Sequence, residues 1–180
     1  ALMSRGLGDV YKRQVLDSVF NHSVDYLPRS LRFLTLGWYF NQPAENLPHS
    51  LESLSFGFNF NHPFKNIPKS LHSLTFGGAF NHPLDYLPHS IKFLKFGVHF
   101  NHPICHLLPQ NLESLEFDTF FNQDINNLPY SLKFLKLGEY FTKKVNNLPP
   151  NLETILLQNN ININNINIPP NVIVKRYSHI

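Results

Sequence analysis

The dipeptide Phe-Asn returns at Phe20-Asn21, Phe40-Asn41, Phe60-Asn61, Phe80-Asn81, Phe100-Asn101 and Phe121-Asn122, and Phe141-Thr142 and Ile161-Asn162 continue the register. A second marker keeps the same step: Leu27-Pro28, Leu47-Pro48, Ile67-Pro68, Leu87-Pro88, Leu108-Pro109, Leu128-Pro129, Leu148-Pro149 and Ile168-Pro169. Both markers shift together after Cys105-His106-Leu107, so they belong to one array with a period of twenty residues, once twenty-one. Periods of about 20–50 residues mark solenoids or propellers, and one near twenty is too short for the four strands of a propeller blade. A solenoid remains.

The unit from Leu27 to Asn46 has large apolar residues at Leu27, Leu31, Leu34, Leu36 and Phe40, and most later units add another, as at Phe64, Leu84, Ile104, Ile125 and Val145. Leu34 and Leu36 alternate with Phe33 and Thr35, the two-residue period of a β-strand with one face inward. Prolines such as Pro43 and Pro48 leave no room for several turns of α-helix, so the return path is expected to be extended or turn-like. Gly37, Gly57, Gly77, Gly97 and Gly138 follow the strand, with Asp118 and Gln158 in the same slot, which predicts a bend with a positive φ at most of these positions. In a stack of such units every position becomes a ladder of like residues. The expected fold is an all-β, leucine-rich-repeat-like solenoid of about seven 20–21-residue units, with a parallel sheet on one face and non-helical loops on the other. The units fall near 27–46, 47–66, 67–86, 87–107, 108–127, 128–147 and 148–167, with a partial unit at 168–180.

The register reaches back only to about Val15. Gln14 and Gly8 stand where an apolar residue and a proline are expected, so residues 1–14 read as a foreign segment and 15–180 as the repeat domain. The run Gly6-Leu7-Gly8-Asp9-Val10-Tyr11-Lys12-Arg13-Gln14 resembles a translated adapter scar and is set aside from fold reasoning.

The ladders carry the functional reading. The asparagines Asn21 to Asn122 are expected to be buried amides that satisfy backbone groups of the turn. The next slot reads His22, Gln42, His62, His82, His102 and Gln123; Gln fills it twice and no Cys or carboxylate joins it, so hydrogen bonding explains it better than a metal. Ser30, Ser50, Ser70, Ser90 and Ser131, replaced by Asn111, Asn151 and Asn171, suit bonding to turn backbone and have no repeated base that would make them nucleophiles. No cofactor or metal site and no convergent acid, base and nucleophile can be read, so the expectation is a protein that is not an enzyme.

On the outward face, Arg32, Glu52, His72, Lys92, Glu113, Lys133 and Glu153 follow one another with opposite charges adjacent at nearly every step, and Thr35, Ser55, Thr75, Lys95, Glu116 and Lys136 repeat the alternation later. The formal charge of +3 is thus spread without an unbroken basic stripe, apart from the modest edge Arg29, His49, Lys69 and His89, so nucleic acid is an unlikely partner. Variable aromatic residues point outward as well. Phe33, Phe93 and Phe134 lie on the strand face, and Trp38, Tyr39, Phe58, His99, Phe120 and Tyr140 lie in the variable pair before Phe-Asn; these nine are the candidate protein-binding residues. Rim packing between neighbouring turns is the competing explanation for the aromatics among them. The lone Cys105 suits a reducing compartment, and the chain has neither an apolar run long enough to span a membrane nor a signal-peptide core, so an intracellular location is expected.

The unit Leu47-Pro48-x-Ser50-Leu51-x-x-Leu54-x-Phe56-Gly57-x-x-Phe60-Asn61-His62-Pro63 resembles the FNIP repeat, a leucine-rich-repeat relative abundant in social amoebae and giant viruses of amoebae. The resemblance runs from Leu16 to about Ile168. Because such arrays often follow an F-box, it implies a protein-interaction array that receives substrates for ubiquitin ligation, with ubiquitin-ligase components as partners where an F-box lies upstream. The alternative is a carbohydrate-binding or purely structural solenoid.

Overall fold

The computed structural model describes residues 12–178. Nine strands form a single sheet: β1 (Arg13–Val15), β2 (Phe33–Thr35), β3 (Ser53–Ser55), β4 (Ser73–Thr75), β5 (Phe93–Lys95), β6 (Ser114–Glu116), β7 (Phe134–Leu137), β8 (Thr154–Gln158) and β9 (Ile173–Tyr177). Their order in the sheet is their order in the chain, and each runs parallel to the next. The inward residues stay aligned from Leu34 through Leu54, Leu74, Leu94, Leu115 and Leu135 to Ile155. The one-residue insertion is absorbed by the 3-10 turn Cys105–Leu107 in the loops, so the sheet crosses it without a bulge. The nine strands span eight turns, one more than the about seven complete units counted from Leu27. Arg13 and Gln14 lie in β1, paired with Phe33 and Leu34. The Lys12 carbonyl accepts from the backbone N–H groups of Arg32 and Phe33, and residues 1–11 of the segment expected to be foreign lie outside the described residues.

The core is a set of ladders rather than a globular cluster. Leu31, Leu51, Leu71, Ile91, Leu112 and Leu132 are fully buried, as are most of the inward strand residues beside them. Two phenylalanine columns fill the space behind the sheet. Phe56, Phe76, Phe96 and Phe117 stack at 5.5–5.7 Å between ring centres. The column from Phe20 through Phe40, Phe60, Phe80, Phe100 and Phe121 to Phe141 stacks at 6.0–6.4 Å. Hydrogen-bonded strands lie only about 4.8 Å apart. Equivalent rings of both columns are thus spaced more widely than the strands they follow.

The glycine ladder corrects one expectation. None of Gly37, Gly57, Gly77, Gly97 and Gly138 adopts a positive φ; a Cβ at Gly57 would instead run into the carbonyl oxygen of Gly37, and one at Gly77 into that of Gly57. Close approach of successive turns, not the local bend, selects glycine. Where Gln158 and Tyr177 take the slot, the chain stays extended and pairs through it, which lengthens β8 and β9. In β9 the inward slots hold Val174 and Arg176, and the Arg176 Nη1 donates to the carbonyls of Gln158 at 2.8 Å and Ile161 at 3.0 Å, placing a charge over the end of the core.

The asparagines are a second correction. Asn21, Asn41, Asn61, Asn81 and Asn101 are exposed, not buried. Each nonetheless satisfies the turn: the side-chain oxygen of Asn21 accepts from the Asn41 backbone N–H at 2.8 Å, and the pattern continues upward to Thr142 at 2.8–3.1 Å. The amide column thus extends the backbone ladder beyond the strands on the solvent side. No helix among the described residues is long and apolar enough to cross a membrane.

Candidate recognition surface

Two surfaces carry the nine residues singled out above: the inner sheet face and the turn edge that follows each strand. On the sheet face the outward row reads Phe33, Ser53, Ser73, Phe93, Ser114, Phe134 and Thr154. Phe33 and Phe93 are three strands apart, about 14 Å at the usual strand spacing, so this row does not bring its aromatics together. The Phe33 ring also lies under the Arg13 guanidinium at 5.2 Å and beside that of Arg32 at 5.9 Å. Next to this row the charge column forms ion pairs. Arg32 pairs with Glu52, and Glu113 sits between Lys92 at 3.1 Å and Lys133 at 3.2 Å. Hydrogen bonds from Lys92 and then Lys133 hold the Glu113 carboxyl below its ordinary range. Lys95 and Glu116 approach to 3.7 Å in the neighbouring column. All these side chains are partly exposed, so the pairs fix register and contribute little stability.

The turn edge is different. After the glycine slot come two columns, one with Trp38, Phe58, Gly78, Val98, Thr119 and Glu139, the other with Tyr39, Asn59, Ala79, His99, Phe120 and Tyr140. Here rings meet across neighbouring turns. Trp38 and Phe58 stack at 4.6 Å with planes 7° apart. His99 stacks on Phe120 at 5.3 Å, and Phe120 on Tyr140 at 5.2 Å. Packing along the rim and exposure to solvent therefore hold at once: Trp38 remains 52% exposed, Phe120 42% and Tyr140 51%. The small residues Gly78 and Ala79 separate a two-ring cluster from a three-ring one. Tyr39, also exposed, lies in the same turn as Trp38.

The polar ladders of the turns are occupied by the fold. The Nε2 atoms of His62, His82 and His102 lie 3.1, 3.0 and 3.1 Å from the carbonyl oxygens of Asn41, Asn61 and Asn81, so each imidazole donates through Nε2. Gln123 makes the same bond to Asn101 at 3.1 Å. Replacing all three histidines by glutamine is expected to leave the melting temperature unchanged; stoichiometric zinc, copper or nickel bound by the parent and lost in the triple variant would contradict this. Ser50, Ser70 and Ser90 each share their hydroxyl between two carbonyls of the preceding unit at 2.5–2.7 Å. The thiol of Cys105 donates to the Asp124 carbonyl at 3.0 Å, and burial, reinforced by the Asp124 charge, pushes its pKa up to about 11. It is a poor nucleophile.

Sequence reasoning passed over three exposed aromatics, Tyr26, Tyr86 and Tyr130, at the Leu-Pro corner. Their signal was positional: Tyr26 and Tyr86 stand just before Leu-Pro, where most units have Asn, as at Asn46 and Asn66, and Tyr130 stands just after Pro129, where the earlier units have Arg29, His49, Lys69 and His89.

A parallel sheet of short strands, one per twenty-residue turn, with leucine and phenylalanine ladders behind it and no α-helix among the described residues, defines a leucine-rich-repeat-like solenoid, a repeat fold of the protein-interaction or structural kind. The chain belongs to the FNIP repeat family, whose repeat pattern matches residues 20–59, 60–99, 80–120 and 100–140. It is similar to CroV588, a protein whose crystal structure is described as a novel circular LRR protein structure, with a TM-score of 0.74 and 33% identity. That similarity covers 93% of this chain and 30% of the CroV588 chain. No curated protein matches the sequence.

Proposed function

We propose that the array is a protein-recognition surface, not an enzyme, and that its contacts are made by Phe33, Trp38, Tyr39, Phe58, Phe93, His99, Phe120, Phe134 and Tyr140. The observation that carries this reading is the pair of stacked yet half-exposed aromatic clusters on the turn edge. Rings already held by their neighbours lose little conformational freedom on binding, and large aromatics in fixed positions are what interface hot spots are made of. In a longer chain that carries an F-box, this surface would receive the substrate for ubiquitin transfer. The paired charges of the inner face leave little net field for nucleic acid. Affinity capture with the parent array and with a Trp38→Ala/Tyr140→Ala variant tests the reading: a protein retained by the parent and lost by the folded variant supports it, and identical capture by both refutes it.

The similarity to CroV588, together with the wider spacing of the phenylalanine columns, favours a second, architectural reading, in which this array is one segment of a closed ring like that described for CroV588. A tandem chain of three such arrays would then scatter X-rays as a ring. An open rod would count against it.

A further inference from the structure

We infer that Gly78 is a positioning residue that sets the geometry of the Trp38 and Phe58 pair. Unlike Gly37, Gly57, Gly77, Gly97 and Gly138, where an added Cβ would meet backbone of the preceding turn, Gly78 is glycine because of a side chain: its Cβ would overlap the ring of Phe58, reaching Cε2, Cδ2 and Cζ. Its φ is not positive, so the backbone makes no such demand. The Phe58 ring thus lies against Gly78 of the next turn, and Trp38 stacks on Phe58 at 4.6 Å with planes 7° apart. Gly78 is the floor of a stack whose upper surface is the exposed indole. The atoms nearest a methyl group at Gly78 all belong to the Phe58 ring, so it shifts that ring and leaves the sheet and the phenylalanine columns in place. The functional meaning of this geometry rests on the recognition role proposed above; the geometry itself does not.

Trp38 is the chain's single tryptophan, so its emission reports the pair directly. Gly78→Ala is expected to fold with an unchanged far-UV spectrum, while Trp38 emission moves to the red and its quenching by acrylamide rises toward that of Phe58→Ala. In the Phe58→Ala background the same substitution should be silent, because the ring it displaces is gone; this is the coupling that a double-mutant cycle isolates. Parent-like emission and quenching in Gly78→Ala would overturn the inference, as would a change that persists in the Phe58→Ala background. If Gly78→Ala alone fails to fold, the double variant decides: a folded double variant supports the ring as the obstacle, and an unfolded one overturns it. No partner enters these measurements, so they stand even if Trp38→Ala leaves recognition intact.

Discussion

Phe80→Ala is expected to destabilise the array by about 3–5 kcal/mol, the usual cost of the cavity left by a fully buried phenylalanine. Phe80 is fully buried and stacks on Phe60 at 6.0 Å, Phe100 at 6.1 Å and Phe76 at 4.0 Å. In a solenoid each turn contacts only its neighbours, so nothing from elsewhere can fold in to fill the space. Phe60 and Phe100 are also held by their own partners, Phe56 and Phe96, at 3.8 Å each, which limits collapse around the cavity. With about 2–4 °C lost per kcal/mol in a chain of this size, the melting temperature should fall by roughly 6–20 °C. A fall of only a few degrees would mean that the column is more compliant than its stacking implies.

The strands and their register were legible because two independent markers repeat at one step. The alternation of Phe33, Leu34, Thr35 and Leu36 tells which side is inward, and the ladder Leu34 to Ile155 follows without a slip. The reason for the glycines was not legible. A local reading of Gly57 sees a bend and proposes a positive φ, whereas the constraint comes from the Gly37 carbonyl, twenty residues away in sequence and one turn away in space. The same holds for Asn61. Its pairing with neighbouring turns could be expected from repetition, but its exposure depends on which side of the turn the amide ladder runs. At the turn edge, sequence could nominate Trp38, Phe58, Phe120 and Tyr140 but could not tell surface from rim. Stacking between turns makes them both.

Trp38→Ala is expected to weaken binding of a protein partner by about 2 kcal/mol or more, roughly 30-fold in Kd. Its indole is half-exposed on a rigid base, which is the setting in which truncating a tryptophan removes contact area and leaves the rest of the surface unchanged. The cost to stability should be small, because a stacked aromatic pair contributes about 0.5–1.5 kcal/mol beyond burial and Trp38 has one such partner. The proposed recognition surface and the core thus use different ladders of one array, the stacked rings of the turn edge and the closed columns behind the sheet. The most direct measurement is to determine, for Trp38→Ala and Phe58→Ala together with the parent, both the Kd for a partner recovered by affinity capture and the melting temperature. The predicted result is a large loss of affinity with the melting temperature nearly kept. Variants that bind like the parent but melt early would make these rings packing residues and contradict the assignment.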